Sequence, residues 1–345
     1  MVLHNKINTD ELREKAKTSD VPRTTLSFYR YVKLEDPTAF RNELYKQFSA
    51  LEVLGRIYVA EEGINAQASV PTANFEAFQA YVNSVPELKD IRLNLAVEDD
   101  DASFFKLIIR LRPKILADGL DDSTFDPGNS GEHLDAVKFN EIAQHPDAVI
   151  IDMRNHYEHE VGHFEDAVKP AVDTFRQSLP IVEDILDGKQ DAPVLMYCTG
   201  GIRCEKASAW FKHRGFKQVY QLDGGIINYA RQVEKEGLDN RFKGKNFVFD
   251  ERLGERIGDE IISACHQCGK PSDRHINCAN DLCHLLIIQC EACAKTYEES
   301  CSKTCASFAS MEKEERNEKG LSLTFNGHRF PNGHYRSDMG ELPLE

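Results

Sequence analysis

A cysteine followed by glycines and an arginine stands between two unlike runs in the stretch VLMYCTGGIRCEKASAW, residues 194–210. Cys198 ends an apolar run, and a helix-like pattern starts a few residues later. Gly200 and Gly201 permit the left-handed angles of a sharp turn and leave backbone N–H groups uncovered, so these groups can converge on an anion. The helix start adds its positive dipole end, and Arg203 adds a cation. These features favour a thiolate and predict that Cys198 is a nucleophile.

An inert structural thiol is the alternative interpretation of Cys198, since free cysteines are often buried. The pattern Cys-x-Gly-Gly-x-Arg between strand and helix favours catalysis, so we predict that Cys198 and Arg203 are catalytic. Cys204 is either a resolving thiol or a helix residue that faces the sheet. The residues predicted to bind substrate in this loop are Thr199, Gly200, Gly201 and Ile202.

Strand and helix patterns alternate in the part of the chain that surrounds this loop. The runs AVIIDMR and APVLMYC are apolar strand patterns, and VKFNEIAQ, FRQSLPIVEDILDG and CEKASAWFKHRG have helical patterns. This alternation predicts an α/β domain with a parallel sheet covered by helices on both faces. Ligands bind beyond the carboxyl ends of the strands in such a sheet, which is where Cys198 is expected.

An α+β pattern precedes this domain, over residues 24–112. Asp36 is expected to cap the first of two helices, and Pro37 suits its first position. A hairpin is expected to turn near Glu62 and Gly63. Two helices on one face of an antiparallel sheet predict a ferredoxin-like (acylphosphatase-like) domain.

Eight cysteines form four pairs in the segment that follows the α/β domain. Spacings of two to four residues within each pair suit the ligands of tetrahedral zinc. Two four-cysteine sites would use all eight, and sequential and crossed combinations of the pairs both remain open. One site only, or thiols without metal, is the alternative. A structural zinc is expected because so short a segment cannot build a large core. The pairs are Cys265 and Cys268, Cys278 and Cys283, Cys290 and Cys293, and Cys301 and Cys305.

Local composition and periodicity indicate the order of the domains and the boundaries between them. The linker is rich in Asp, Gly, Pro and Ser, and the last residues show no usable periodicity. The predicted order is a polar lead-in at 1–20, the ferredoxin-like α+β domain at 21–112, a linker at 113–130, the α/β domain with its parallel sheet at 131–245, the cysteine-rich, zinc-binding segment at 246–310, and an extended or disordered tail at 311–345.

Charge and hydropathy restrict the function classes. The net charge is −15 over 345 residues, which taken alone argues weakly against nucleic acid. Residues 203–245 nevertheless carry ten Lys or Arg against five Asp or Glu, a local net charge of +5. No apolar run approaches the roughly 18 residues of a membrane span, and the start lacks a secretory pattern. We therefore expect a cytoplasmic protein with no membrane partner and with reduced cysteines.

Three motifs together resemble those of a rhodanese domain. The stretch VLMYCTGGIRCEKASAW resembles its active-site loop, VIIDMRNHYEHEVGHFEDAV its upstream signature, and VYQLDGGIINY its downstream Gly-Gly motif. The resemblance implies that Cys198 is the residue that carries a persulfide. Within the upstream signature, Asp152 is expected to bond loop backbone, and Glu158 to pair with Arg154 or Arg203.

The motif order extends the resemblance over nearly the whole chain. GRIYVAEEGINAQAS, VDTFRQSL, CTGGIRCEKAS and the C-terminal cysteines occur in this order in the rhodanese-containing, oxygen-dependent tRNA uridine hydroxylases of the TrhO type. This resemblance implies hydroxylation at carbon 5 of the wobble uridine to 5-hydroxyuridine, with molecular oxygen as co-substrate and the tRNA anticodon loop as partner. Arg176, at the expected helix start in VDTFRQSL, is a candidate contact for a phosphate or a base. The sequence shows no dinucleotide fingerprint, so no nucleotide cofactor is expected, and it identifies no protein partner.

Several activities remain possible for the loop cysteine. In a hydroxylase, the working species is either a Cys198 thiolate that adds to C6 of uracil or a persulfide on Cys198. In a sulfurtransferase, a persulfide on Cys198 would pass its sulfur to an acceptor. A phosphatase of the related fold is disfavoured, because those loops need one more residue between Cys and Arg than is present here. A non-enzymatic zinc scaffold is disfavoured by the intact loop.

RNA contacts on the N-terminal domain are a separate hypothesis. Aromatic residues on its first strand could stack bases, although strand alternation keeps them from all facing one side. The candidate basic strip on this domain consists of Arg23, Arg30, Arg110, Arg112 and Lys114.

Overall fold

The N-terminal domain of the computed structural model is a five-stranded sheet with two helices on one face. The structure describes residues 9–98, 103–121, 124–320 and 323–345. The sheet order is β4-β1-β3-β2-β5, antiparallel except for the parallel pair β2 and β5. The predicted ferredoxin-like architecture is confirmed. The elements are α1 Thr9–Lys17, β1 Arg23–Tyr31, α2 Pro37–Ala50, β2 Leu54–Ala60, β3 Gly63–Pro71, α3 Phe75–Ser84, β4 Asn94–Leu95 and β5 Leu107–Leu111.

Strand alternation decides which face of this sheet the helices cover. Leu26 and Phe28 of β1 are buried in the core against α2 and α3. Ser27 and Tyr29 alternate with them along the strand and therefore point to the opposite face. The predicted cap is present, since Asp36 accepts hydrogen bonds from the amides at the start of α2 at 3.0 and 2.9 Å. One face of the sheet is thus apolar, and the other is polar and available to a neighbouring domain.

The second domain is built on a four-stranded parallel sheet of order β6-β10-β9-β7. A three-stranded antiparallel sheet of order β12-β11-β8 lies beside it. The predicted α/β rhodanese-like architecture is confirmed. Its elements are β6 Glu132–Leu134, α4 Ala136–Ile142, β7 Val149–Asp152, α5 His156–Glu160, β8 Gly162–Phe164, α6 Phe175–Ile185, β9 Pro193–Tyr197, α7 Ile202–His213, β10 Gln218–Leu222, α8 Gly225–Glu236, β11 Phe242–Asn246 and β12 Glu255–Arg256.

The central strand β9 is buried along its whole length, because helices cover both faces of the sheet. Val194 and Met196 pack against α6 and α7, while Leu195 and Tyr197 pack against α4 and α8. This burial fixes the carboxyl end of β9, from which the chain enters the Cys198 loop.

The C-terminal part is a small cysteine-rich module built on the antiparallel pair β13 and β14. Its helices are short, and every helix within the described ranges lacks the length or the apolar character needed to cross a membrane. The elements are β13 His275–Asn277, β14 Leu286–Ile288, α9 Glu291–Tyr297, α10 Lys303–Ala309, α11 Lys313–Gly320 and α12 Asn326–Arg329.

The tail differs from the extended or disordered segment that we expected at 311–345. Residues 323–345 fold back onto the cysteine-rich module, where Phe325, Phe330, Tyr335 and Leu342 are buried in its core. The spacing of these apolar residues follows neither a helix nor a strand period, because short helices and irregular chain place them. Periodicity therefore carries no signal of this packing.

Candidate active site

A cavity of about 510 Å³ lies between the N-terminal sheet and the rhodanese-like domain. Small-ligand sites in proteins have volumes of about 300–1,000 Å³. The floor of this cavity is the Cys198 loop, and its roof is the polar face of the N-terminal sheet. Among the residues that line it are Cys198, Thr199, Gly200, Ile202 and Arg203 of the loop, Ser27, Tyr29, Asn65 and Gln67 of the sheet, and Asn332 and His334 of the tail.

The loop places Cys198 against backbone amides, as its sequence predicts. Cys198 is itself buried, but it lines the cavity. Gly201 has a φ of +104° and donates its N–H to the Cys198 sulfur at 3.2 Å. A Cβ at Gly201 would stand 2.8 Å from the Tyr29 hydroxyl, and its backbone would be strained. Glycine is therefore required both by the turn and by the close approach of the N-terminal sheet.

The electrostatics of the loop favour ionised sulfur. Burial alone would raise the pKa of Cys198, but the Cys204 thiol, the charge of Arg203 and the backbone N–H groups of Arg203 and Cys204 lower this pKa to about 5. Burial and the neighbouring Cys198 raise the pKa of Cys204 well above its ordinary value. Cys204 is thus a neutral, buried helix residue in contact with the sulfur of a Cys198 that is a thiolate at neutral pH.

Arg203 is held by a buried carboxylate. Its guanidinium donates to the two Glu158 oxygens at 2.6 and 2.7 Å, and both side chains are buried. The sequence predicts that Glu158 pairs with Arg154 or Arg203, and in the structure it pairs with Arg203. Burial would lower the pKa of Arg203, but Glu158 raises it, so the guanidinium stays charged. Because Glu158 also accepts the Asn155 N–H, this pair joins the Cys198 loop to the turn after β7.

Asp152 lies behind the loop. Its carboxylate accepts two hydrogen bonds from the Arg154 guanidinium, at 2.9 and 2.6 Å, and one from the Tyr197 hydroxyl at 2.6 Å. The backbone group that it binds is the Arg154 N–H, and the described contacts include none to the Cys198 loop. Asp152 therefore positions Arg154 and the end of β9 rather than the substrate.

Arg176 does not line the cavity. Its side chain is exposed and lies against Gly119, whereas Thr174 and Phe175, just before it in the chain, belong to the cavity wall. This position does not support the predicted contact between Arg176 and substrate.

The aromatic residues of β1 were candidates for base contacts, and Tyr29 among them lines the cavity roof, but the sequence did not identify the polar part of this roof. Ser27, Gln67, Arg56 and Tyr58 line the cavity, and His334 of the tail packs against another wall residue, Tyr157, with ring centroids 4.0 Å apart and ring planes tilted by 40°. Polar residues alternate with apolar ones along β1, β2 and β3, and this period of two could have identified a second functional face.

The eight C-terminal cysteines form two crossed clusters. The first and third pairs meet in one cluster, and the second and fourth pairs meet in the other. Within each cluster the sulfur atoms all lie within 4.8 Å of one another. The structure therefore answers the pairing question that spacing left open. The clusters are Cys265, Cys268, Cys290 and Cys293, and Cys278, Cys283, Cys301 and Cys305.

Comparison with protein-family models divides the chain in the same way as the fold. Residues 23–115 match the UPF0176 acylphosphatase-like domain, residues 135–232 the rhodanese-like domain, and residues 243–306 the rhodanase C-terminal region. The fold and the loop thus define a rhodanese-domain protein with an acylphosphatase-like domain in front of it.

Two curated relatives identify the family within this class. The tRNA uridine(34) hydroxylase of Photorhabdus laumondii is 54% identical over 305 residues, which are 88% of this chain and 87% of that protein. The protein of the same name from Escherichia coli strain SMS-3-5 is 55% identical over the same shares. The chain belongs to the family of tRNA uridine(34) hydroxylases, and the resemblance drawn from its motifs is confirmed.

Proposed function

We propose that this chain hydroxylates carbon 5 of uridine 34 in tRNA, with molecular oxygen as co-substrate and the anticodon loop as the bound part of the tRNA. Its relatives bear the name of this activity. The observation that carries the site assignment is Cys198, whose pKa is lowered to about 5 and which faces a cavity of about 510 Å³. An anticodon loop is single-stranded, so presenting one base to such a cavity requires little unpairing.

The chemistry follows from the polarity of uracil. Its C5–C6 double bond is conjugated to a carbonyl, so the Cys198 thiolate adds to C6 and leaves C5 as an enolate carbon that reacts with oxygen. One oxygen atom stays on C5 as the hydroxyl, and the other becomes water with two electrons and two protons from an external reductant. Loss of the C5 proton then expels Cys198. The loop amides and the Arg203 charge stabilise the negative charge that develops.

Nucleoside mass spectrometry of cellular tRNA tests this proposal. In a deletion strain, 5-hydroxyuridine is expected to disappear and to return when the wild-type gene is supplied under air, but not without oxygen. Thiouridine levels are the control and are expected to stay constant. Normal 5-hydroxyuridine together with a loss of thiouridine would instead identify a sulfurtransferase.

Zinc suits both cysteine clusters, which supports a structural metal in each. Thiolates are soft ligands, and four sulfurs in contact match the closed tetrahedral sites of structural zinc. When bound, zinc would crosslink the module. The second cluster also receives N–H donors from the tail, from Gly327 to Cys283 at 3.2 Å and from Asn326 to Cys301 at 3.5 Å. This cluster therefore connects the tail to the cysteine-rich core.

Purified protein is expected to contain two zinc ions per chain by elemental analysis. Cys283→Ala is expected to reduce this content to about one and to expose the tail to proteolysis, because metal binding and local folding are coupled. Cys204→Ala removes a buried cysteine outside both clusters and should leave the zinc content at two. Two zinc ions in Cys283→Ala would contradict the assignment.

A further inference from the structure

A second cavity, also of about 510 Å³, adjoins the active-site cavity, and we call it the basic groove. Its walls include the cationic residues Arg56, Lys106 and Arg110, together with Phe105. The two cavities share six wall residues and therefore lie side by side. The shared residues are Arg56, Tyr58, Tyr157, Phe249, Asp250 and His334.

Strand register explains why the cations converge. Strands β2 and β5 are parallel neighbours in which Arg56 pairs with Ile108, and Tyr58 pairs with Arg110. Residues in register on adjacent strands share a face, so Arg56 and Arg110 project from the same side of the sheet. Ile57, between Arg56 and Tyr58, is buried in the helix-covered core on the other side. Two adjacent strands thus present arginines next to the active-site roof.

The charges in the groove are incompletely neutralised. Within the described ranges, the guanidinium groups of Arg56 and Arg110 make no ion pair or hydrogen bond. The acidic wall residues are Asp250 and Glu251, and Asp250 is already paired with Arg252 at 2.6 Å. The groove therefore presents exposed positive charge, which attracts a polyanion.

The other arginines and lysines of the candidate basic strip are engaged elsewhere or lie outside the groove. Arg23 donates to Ser69 and Glu52, Arg30 to the Lys89 carbonyl, and Lys114 to Asp118. Arg112 stands over the Tyr58 ring at 5.4 Å. Of the strip proposed from sequence, Arg110 alone lines the groove.

We propose that the basic groove binds the backbone phosphates of the nucleotides next to the wobble uridine. This inference rests on the proposed function, since it requires a uridine in the active-site cavity. The phosphates beside that uridine then lie at the shared wall, where Arg56 is placed, and the following nucleotide reaches Arg110.

Binding measurements with a variant that cannot react test this groove. In a Cys198→Ala background, affinity for a labelled anticodon stem-loop RNA is measured by fluorescence anisotropy at several salt concentrations. Arg56→Ala combined with Arg110→Ala is expected to weaken binding about tenfold or more. The slope of log affinity against log salt should become shallower by about 0.7 for each lost phosphate contact.

Two matched variants serve as controls. Lys46→Ala removes an exposed charge from α2, on the helix side of the same sheet, and should change neither affinity nor slope. Replacing both arginines by lysine keeps the charges and should restore most of the slope. If the double alanine variant binds like its parent while the wild-type chain hydroxylates tRNA, the groove assignment is wrong and the proposed function stands.

Discussion

Cys198→Ala is expected to abolish tRNA hydroxylation, with a fall in rate of at least about a thousand-fold. The substitution removes the atom that adds to uracil and leaves the cavity otherwise intact. The measurement is 5-hydroxyuridine formation in the complemented deletion strain. Unchanged protein level and thermal stability would show that chemistry, and not folding, was lost. Retention of a substantial rate would exclude Cys198 as the nucleophile.

The addition of Cys198 to C6 of the base can be detected directly as a covalent adduct. tRNA that carries 5-fluorouridine is expected to form an adduct with wild-type protein, and peptide mass spectrometry should locate it on Cys198. Because the pKa of Cys198 is about 5, the thiolate fraction is nearly complete at pH 6, and adduct formation should be similar at pH 6 and pH 8. Turnover of natural tRNA without any such adduct would rule out addition to C6.

Glu158→Gln is expected to lower the free energy of unfolding of the rhodanese-like domain by about 3–5 kcal/mol. The change keeps the side-chain volume but leaves the Arg203 guanidinium buried without its counter-charge. Urea denaturation can be followed by the fluorescence of Trp210, which is the single tryptophan of the chain and lies in α7.

A surface ion pair of the same domain provides the control. Glu183 pairs with Arg214, and both side chains are substantially exposed, at 31% and 49%. Glu183→Gln should therefore cost no more than about 1 kcal/mol. Equal and small losses in the two variants would show that the buried pair does not hold the loop in place.

The α/β domain was largely predictable because its signals are local. The buried apolar run of β9 occupies five adjacent residues, so the hydrophobic pattern identifies it. A single glycine follows each of α7 and α8, so turn chemistry identifies the ends of these helices. Cys198 was predictable for the same reason, since its turn, amides and helix start are neighbours in the chain.

The parts of the site that the sequence did not predict depend on contacts between segments that are distant in the chain. Which face of the N-terminal sheet meets the loop is set by docking of the domains, to which Lys206 and Glu62 contribute an ion pair at 2.9 Å. Alternation along β1 shows that the sheet has a polar face, but it does not show that this face meets the Cys198 loop. The crossing of the two cysteine clusters also depends on contacts between distant segments. The spacing within one pair of cysteines does not show which other pair completes its cluster.

The tail residues Asn332 and His334 form part of the wall around Cys198, far along the chain from the loop itself. A nascent polypeptide can fold its rhodanese loop while this segment is still inside the ribosomal exit tunnel. Its reaction chamber is complete only after the segment has emerged, so premature stop codons shortly before residue 332 should yield protein with an open, unfinished chamber.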